Sequence, residues 1–293
     1  MNVRRHFAAA KINLYLHVTG RRADGYHLLD SLVSFADIGD RLIAKPAATL
    51  SLELCGPEAG SLAAVGDDNL VLRAARLLAD HTGITAGAAL RLEKNLPIAA
   101  GIGGGSSDAA AALRALRELW RVSIGDETLS HLGMRLGADV PACAYARAVW
   151  VGGIGEQIEP AAALPQAGVL LANPRKELRT ASVFAARRAP FSDAGRFEPM
   201  PGDAVGLAQT LAQRRNDLTG AAIGLVPEIG AVLARLSRLP GVLLARMSGS
   251  GATCFALFSD RATAERARTA LVAAEPSWWC AASGFVAESK LSR

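Results

Sequence analysis

The segment 97–108, Pro-Ile-Ala-Ala-Gly-Ile-Gly-Gly-Gly-Ser-Ser-Asp, has the residue types of an anion-binding loop and runs directly into an alanine-rich stretch. Its glycines leave backbone N–H groups open to a ligand, and the helix predicted behind them adds unpaired N–H groups and the positive end of its dipole. Ser106 and Ser107 can cap that helix and offer hydroxyls to a phosphate. The segment therefore predicts an anion cradle, and a flexible loop with an ordinary serine cap is the alternative.

This cradle does not match three well-known kinds of phosphate loop. A Walker A loop needs a lysine after a glycine, and none of the five lysines follows a glycine. A dinucleotide-binding fingerprint starting at Gly101 and Gly103 would need a third glycine at position 106, which is serine. The His-Arg-Asp and Asp-Phe-Gly signatures of protein kinases are also absent from the sequence. A phosphate loop outside these three classes remains.

Two charged residues, Lys11 and Asp139, stand among apolar neighbours. Lys11 shares a face of a predicted strand with Asn13, and a buried lysine needs a carboxylate or phosphate partner. Asp139 lies in the otherwise uncharged segment 136–141, where it could act as a general base or as the counter-ion of a lysine. The alternatives are that Lys11 reaches water from an edge strand and that Asp139 only caps the helix that follows it.

Two further segments have both a structural and a functional interpretation. Residues 20–27 contain an Asp-Gly pair, two arginines and the neighbours Tyr26 and His27. They predict a hairpin turn with a basic face, or the recognition of a planar, phosphorylated group that stacks on Tyr26 and hydrogen-bonds to His27. Residues 248–252, Ser-Gly-Ser-Gly-Ala, are either a tight hairpin or a second wall around a substrate.

The elements that must position these residues read as strands and helices in both halves of the chain. The alternation of Ile12, Leu14, Leu16 and Val18 predicts a half-buried first strand. Further strands are predicted at 32–35, 41–44, 50–54, 88–92 and 148–151, and helices from a cap at Asp67 or Asp68 to Gly83, from Asp108 towards Trp120, and from Asp126 through Leu136.

The second half has the β-α-β-β-α-β order of a ferredoxin-like sandwich with one extra helix. Its strands are predicted at 169–172, 242–245, 254–258 and 280–286, its helices at 204–222, after Pro227 and at 261–274, and a surface loop at 187–202. A glycine cluster at 152–155 with Pro160 and Pro165 marks a boundary. The sequence therefore predicts an α+β fold with domains at 1–160 and 161–293.

Composition excludes several classes of protein. The 293 residues are 51% hydrophobic and 20% charged, and 32 basic against 27 acidic side chains give a net charge of +5, which suits an anionic ligand. No apolar stretch approaches the ~20 residues that span a bilayer, and the first residues do not resemble a signal peptide, so we expect a cytoplasmic protein. The four cysteines and five histidines are too scattered for a disulfide framework or a transition-metal site.

Taken in order, the motifs around Lys11, at 22–27, 97–108, 137–141 and 248–252 resemble those of the GHMP small-molecule kinases. The stretch Ala-Asp-Gly-Tyr-His at 23–27 resembles the branch that phosphorylates 4-diphosphocytidyl-2-C-methyl-D-erythritol, in the non-mevalonate route to isoprenoid precursors. The resemblance covers residues 8 to 286. It implies an N-terminal domain like the second domain of ribosomal protein S5 and a ferredoxin-like C-terminal domain.

The resemblance also implies ATP- and Mg²⁺-dependent phosphorylation of the 2-hydroxyl of that small molecule. It makes Asp139 the catalytic base and Lys11 the catalytic lysine, and a lysine beside a base would keep the carboxylate ionised. The implied ATP-binding residues are Pro97, Gly101, Gly103, Gly104, Gly105, Ser106 and Ser107, with Asn69 and Leu70 near the adenine, and the implied substrate-binding residues are Asn13, Tyr26, His27, Thr180 and Phe184.

Two other functions remain as alternatives at this point. One is a GHMP kinase of homoserine or mevalonate type, because the Gly–Ser loop does not discriminate between acceptors. The other is a non-catalytic module that binds nucleotide or RNA through its basic surface, although no basic-aromatic stretch supports it. We expect neither a nucleic acid nor a membrane as partner, and a monomer or a weak homodimer.

Overall fold

The computed structural model of this protein describes residues 3–62, 66–98, 100–145 and 147–287. Helices pack on two β-sheets, which is an α+β fold. The strands are β1 (Arg4–Arg21), β2 (His27–Ala47), β3 (Ser51–Cys55), β4 (Gly87–Glu93), β5 (Val149–Gly152), β6 (Gln157–Pro160), β7 (Gly168–Asn173), β8 (Leu244–Met247), β9 (Cys254–Phe258) and β10 (Trp279–Gly284).

The helices lie between these strands and after them. They are α1 (Leu70–Thr82), α2 (Gly104–Leu119), α3 (Asp126–Met134), α4 (Val140–Tyr145), α5 (Thr180–Ala186), α6 (Ala204–Ala212), α7 (Thr219–Leu225), α8 (Glu228–Leu236) and α9 (Arg261–Ala274), with short 3₁₀ turns at Ala59–Leu62 and Gly66–Asp68. In the described ranges, no helix combines the length and the apolar character that crossing a membrane requires.

The first sheet is organised around β2. Its order is β3-β4-β2-β5-β6, and β1 pairs antiparallel with β2 outside this path. The runs predicted at 32–35 and 41–44 belong to this one strand of 21 residues. The polar segment between them does not end the strand, because the register with β1 shifts between Ala9 and Ala10 and a bulge takes it up.

The second sheet has the order β10-β7-β9-β8 with every neighbouring pair antiparallel. This order, with helices in the connections, confirms the predicted ferredoxin-like arrangement. The helical region predicted at 204–222 is divided into α6 and α7. It breaks near Asn216, whose side-chain amide donates to the carbonyl oxygens of Met247 and Gly249 at 2.8 Å and thereby ties the connection to the β8–β9 turn.

The strand β1 is buried on both faces, so the prediction of a half-buried strand was wrong. Ile12 and Leu14 enter a core between the two sheets, together with Leu171 and Phe255. On the opposite face Lys11 is also buried, with 4% of its surface exposed. The sequence pattern did not reveal this, because polar residues that are covered by other parts of the chain alternate in the same way as residues that face water.

The ends of the first two helices differ from the sequence prediction. Helix α1 is capped by Asn69, whose Oδ1 accepts the N–H of Val71 at 2.9 Å, one residue after the predicted Asp68. Gly83 ends this helix, as predicted, and has the left-handed conformation. Helix α2 begins at Gly104 rather than at Asp108, with Gly103 at the N-cap, φ +63°.

Two elements were not predicted. Strand β6 forms a hairpin with β5 across the glycine cluster at 152–155, and its four residues, of which only Ile158 is half-buried, are too few to show an alternation. Helix α5 is short and buries only Val183 among its residues. Residues 187–202 contain neither helix nor strand, as expected, but Phe197 packs edge-on against Trp150 with 5.2 Å between the ring centroids.

Candidate active site

A cleft of about 1310 Å³ brings together the residues that the sequence analysis singled out, with the exception of Ser107. Both halves of the chain contribute to its walls. The predicted residues that line it are Lys11, Asn13, Tyr26, His27, Asn69, Leu70, Pro97, Gly101, Gly103, Gly104, Gly105, Ser106, Asp139, Thr180 and Phe184.

Lys11 and Asp139 form an ion pair in this cleft, with 2.5 Å between Lys11 Nζ and Asp139 Oδ1. Only 5% of the Lys11 side chain is exposed, against 52% for Asp139. The alternative that Lys11 reaches water is therefore wrong. Asp139 also lies at the start of α4, where its carbonyl oxygen accepts the N–H of Cys143 at 3.2 Å. The pair presents to the cleft a carboxylate that can accept a proton and is oriented by a buried ammonium group.

The start of α2 leaves backbone N–H groups open to the cleft beside this pair. The N–H of Ser107 already bonds to the carbonyl oxygen of Gly103 at 2.8 Å, whereas Gly104, Gly105 and Ser106 precede that bond and keep first-turn N–H groups. A Cβ on Gly103 would lie 3.1 Å from Lys11 Cβ. The glycines therefore let the helix dipole and several donors approach an anion next to Lys11.

Ser107 does not belong to this wall, which corrects the sequence prediction. Its side chain is 3% exposed and faces the core, where the hydroxyl donates to the carbonyl oxygen of Ala9 at 2.7 Å and contacts Cys143 Sγ at 3.3 Å. Because α2 begins at Gly104, both serines lie inside its first turn, and neither is its cap. Ser106 points to the cleft and Ser107 away from it.

Gly101 is the point at which the first glycine segment, 97–108, meets the second, 248–252. Its φ is +71°, and a Cβ there would overlap the carbonyl oxygen of Gly251 and lie 2.7 Å from the Gly251 nitrogen. The segment 248–252 is thus both the β8–β9 hairpin and a wall of the cleft, to which Gly249 and Ser250 contribute. The two interpretations of this segment were therefore compatible.

The substitution Gly101→Ala is expected to lower the free energy of unfolding by about 3 kcal/mol or more, because it combines a strained φ with a backbone overlap. Urea unfolding followed by circular dichroism measures this. The matched control is Gly104→Ala, since a Cβ on Gly104 finds its nearest neighbours only at 3.7 Å and lies in a helix. Equal midpoints for the two variants would contradict the prediction.

Lys94, Asp40 and Asp108 form a buried charged cluster that the sequence analysis missed. Lys94 Nζ donates to Asp40 Oδ2 and, at 2.6 Å, to Asp108 Oδ2. Asp40 Oδ1 accepts the N–H groups of Asn95 and Leu96 at 2.5 and 2.9 Å, which fixes the chain where it enters the first glycine segment. The scarcity of lysine was the available signal, since Lys94 is one of only five.

Burial dominates the electrostatics of this cluster. Burial raises the pKa of the Asp108 carboxyl to about 8; the negative charge of Asp40 adds to this effect and the Lys94 ammonium opposes it. Burial alone would lower the pKa of Lys94, but the two carboxylates outweigh it and the pKa is raised. The cluster therefore holds its lysine charged and favours the protonated form of the Asp108 carboxyl.

Aromatic side chains form the other end of the cleft. The rings of His27 and Phe184 are stacked, with 5.1 Å between centroids and 25° between planes. Burial, together with the charges of Arg21 and Arg187, holds the pKa of His27 below its usual value, so its ring is neutral and can both donate and accept. Tyr26 stands at the cleft mouth with 61% of its surface exposed.

Thr180, at the start of α5, joins this aromatic end to the second glycine segment. Its Oγ1 lies 2.8 Å from Ser250 Oγ. The same helix carries Phe184 one turn later. The contact therefore sets the position of Phe184 relative to the β8–β9 hairpin.

Comparison with known proteins gives the family. Residues 69–147 match the model of the GHMP kinases N terminal domain, and residues 202–276 match that of the GHMP kinases C terminal. A protein of Paramagnetospirillum magneticum named 4-diphosphocytidyl-2-C-methyl-D-erythritol kinase is 54% identical over 274 residues, which are 94% of this chain and 95% of that protein. The chain belongs to the GHMP kinase family. It is therefore an ATP-dependent small-molecule kinase, and the alternative of a non-catalytic binding module was wrong.

Solved structures of GHMP kinases share this fold. A crystal structure of 4-(cytidine 5'-diphospho)-2C-methyl-D-erythritol kinase superposes with a TM-score of 0.78 at 34% identity, over 97% of this chain and 100% of that one. Homoserine kinase from Cytophaga hutchinsonii superposes with a TM-score of 0.71 at 16% identity, over 98% and 95% of the two chains, a likeness of fold alone.

Proposed function

We propose that this protein transfers the γ-phosphoryl group of ATP to the 2-hydroxyl of 4-diphosphocytidyl-2-C-methyl-D-erythritol, giving the 2-phosphate and ADP. The observation that carries the proposal is the position of the Lys11–Asp139 pair, between the open start of α2 and the stacked rings of His27 and Phe184. The name and the 54% identity of the Paramagnetospirillum relative support the choice of acceptor.

The residues of the cradle fit ATP. We assign the phosphates to the N–H groups at the start of α2, with Pro97, Gly101 and Ser106 around them, because helix N-termini and glycine backbones bind phosphate. The side chain of Leu70 lies close to the backbone of Gly105 and forms an apolar wall beside the phosphate site, because its Cδ1 would be only 3.3 Å from a Cβ on Gly105. Asn69 caps helix α1, which begins at Leu70. This wall suits an adenine ring.

Mg²⁺ belongs to the proposal as the ion that accompanies ATP. It prefers oxygen ligands and is usually bound through substrate phosphates and one or two carboxylates rather than by an all-protein cage. In the described part of the chain, no three His, Cys, Asp or Glu side chains cluster as a metal site. We therefore propose that Mg²⁺ is held mainly by the ATP phosphates and neutralises part of their charge.

The chemistry that this chain supplies is proton transfer and charge balance. Asp139 Oδ accepts the proton of the 2-hydroxyl, and the Lys11 ammonium offsets the negative charge that develops on the transferred group. Asn13, two residues along β1 from Lys11, faces the same cleft and is available to the hydroxyl groups of the acceptor. Most of the rate enhancement then comes from holding the two reactants in line.

Replacing Tyr26 tests the recognition of the cytosine base. Because stacking of one base on an aromatic ring contributes about 1–3 kcal/mol, Tyr26→Ala is expected to raise the KM for the cytidylyl acceptor about tenfold or more, with the KM for ATP unchanged. Steady-state kinetics with each substrate varied measures this. Phe191→Ala is the control, since Phe191 is also exposed but lies outside the cleft. An unchanged acceptor KM in Tyr26→Ala would contradict the proposed stacking of the cytosine base on Tyr26.

A coupled ADP-release assay over three acceptors tests the whole proposal. The panel is 4-diphosphocytidyl-2-C-methyl-D-erythritol, homoserine and mevalonate, and phosphorus NMR of the product identifies the phosphorylated hydroxyl. We expect turnover with the first alone. Turnover with homoserine or mevalonate instead would establish a GHMP kinase of the corresponding type.

We extend the proposal to the organisation of the protein. A boundary between domains 1–160 and 161–293 is supported by the first sheet, which ends at β6, and the second, which begins at β7. The cytoplasm is supported by the free thiols of the four cysteines, which suit a reducing compartment. A monomer, or a weak homodimer acting without nucleic acid, completes the proposal, because both reactants of the proposed transfer are small molecules.

A further inference from the structure

The two Gly–Ser segments, 97–108 and 248–252, follow strands of different sheets and make direct backbone contact. The N–H of Thr253, just after the second segment, donates to the carbonyl oxygen of Ala100 at 3.0 Å. A Cβ on Gly249 would lie 2.8 Å from the carbonyl oxygen of Gly101. Segment 97–108, to which we assign ATP and which we call the ATP segment, is therefore held by contacts from the second half of the chain as well as from the first.

The side chain of Ser248 lies at the centre of this contact. The residue is fully buried, and its backbone groups are engaged within the hairpin: its N–H donates to Thr253 and its carbonyl oxygen accepts from Gly251, both at 3.0 Å. Its hydroxyl accepts the N–H of Asn13 at 3.1 Å and donates to the carbonyl oxygen of Gly101 at 3.2 Å. One hydroxyl thus joins three elements: β1, the ATP segment and the β8–β9 hairpin.

The positions of β1 that are bonded in this way, Lys11 and Asn13, are the ones proposed to act in phosphoryl transfer. Strand β1 carries Lys11 and Asn13 on its cleft face, and the N–H of Lys11 donates directly to the carbonyl oxygen of Ile102 at 2.9 Å. At Asn13 the link to the ATP segment instead runs through the Ser248 hydroxyl. A hydroxyl can donate and accept at once, which an alanine or valine side chain cannot do.

We propose that Ser248 is a positioning residue that holds the acceptor strand β1 in register with the ATP segment. It does not line the cleft, so it acts through Asn13 and Gly101 rather than on a substrate. The inference rests on the proposed phosphoryl transfer, in which a misplacement of about 1 Å can cost about 100-fold in rate.

The test compares Ser248→Ala with the conservative variants Ser248→Thr, which keeps the hydroxyl, and Ser248→Cys, which keeps the volume. The control is Ser283→Ala, because Ser283 is also fully buried but, among the described residues, its hydroxyl bonds only to the adjacent carbonyl oxygen of Gly284, at 2.8 Å. ADP release with ATP and 4-diphosphocytidyl-2-C-methyl-D-erythritol gives kcat and both KM values, and the melting temperature reports folding.

Loss of the hydroxyl is expected to lower kcat by about 10- to 100-fold in Ser248→Ala and Ser248→Cys, with both KM values within about threefold of the wild type. Ser248→Thr and Ser283→Ala are expected to keep kcat within about threefold. A purely structural role predicts a lower melting temperature with an unchanged kcat per folded molecule. That result, or a Ser248→Thr variant that folds but is as slow as Ser248→Ala, would overturn the inference.

Hydrogen exchange followed by mass spectrometry supplies a readout that does not depend on the acceptor. Ser248→Ala, or Ser248→Cys if the alanine variant does not fold, is expected to speed exchange in the peptides that contain Asn13 and Gly101, and Ser283→Ala in neither. Unchanged exchange would overturn the inference. A wild type without turnover on this acceptor would refute the proposed function but leave the exchange test intact.

Discussion

Asp139→Asn is expected to lower kcat about 10³-fold while ATP binds as in the wild type. General-base catalysis typically contributes about 10²- to 10⁴-fold, and an amide cannot take the proton of the acceptor hydroxyl. Asparagine keeps the shape of the side chain and an oxygen for Lys11 Nζ, which now lies 2.5 Å from Asp139 Oδ1. The loss therefore reports on proton transfer rather than on the collapse of the ion pair.

Single-turnover and steady-state ADP release measure the rate of Asp139→Asn, and calorimetric titration with ATP measures its affinity. The control is Asp203→Asn, because Asp203 is exposed, lies outside the cleft and caps α6 through a side-chain oxygen that asparagine also provides. A kcat within tenfold of the wild type in Asp139→Asn would remove this residue from the role of base and leave Lys11 to act alone on the transferred group.

The sequence predicted best those parts of the fold in which local signals agree. Helix α9 has the predicted bounds, and Gly83 ends α1 as expected, because apolar spacing, caps and glycine conformation point the same way. Helix α2 was predicted four residues too short. Its first turn is built of glycines and serines, which have poor helix propensity but whose backbone packs against Lys11 and Leu96.

In the candidate site, the residue types were predictable but their contacts were not. That Lys11 and Asp139 meet across 128 positions of sequence follows from the packing of α4 against α2, which in turn packs on β1, and no local pattern reveals this. The separation of Ser106 from Ser107 depends on the start of α2, so the error in that boundary became an error in the site. The segment that begins at Ser248 was singled out, but the contacts of the Ser248 hydroxyl were not predicted, because they lie with two other elements.

Lys94→Met is expected to lower the free energy of unfolding by about 3–5 kcal/mol, because it leaves Asp40 and Asp108 buried without their shared cation. The side chains of Lys94 and Asp108 are 3% exposed and that of Asp40 is fully buried, so water cannot compensate for the loss. Urea unfolding measures the effect. The control is Lys176→Met, which breaks an exposed pair with Glu228 at 3.4 Å and is expected to leave the midpoint almost unchanged.

The pH dependence of stability gives the same cluster a second readout. The pKa of Asp108 is raised from its ordinary 3.8 to about 8 in the folded protein. Between these two values the folded protein holds a proton that the unfolded chain has released, so this residue makes the folded state less stable as the pH rises through that window. Asp108→Asn should remove this slope, and its stability relative to the wild type should increase from pH 5 to pH 8.

The combination of the two substitutions separates the lost cation from lost packing. If Lys94 stabilises the fold by compensating its two acidic partners, Lys94→Met with Asp108→Asn has one carboxyl group fewer to protonate or to bury as an anion and should recover part of the loss at pH 8. If the loss came from the shape of the methionine side chain, the double variant would be no more stable than Lys94→Met.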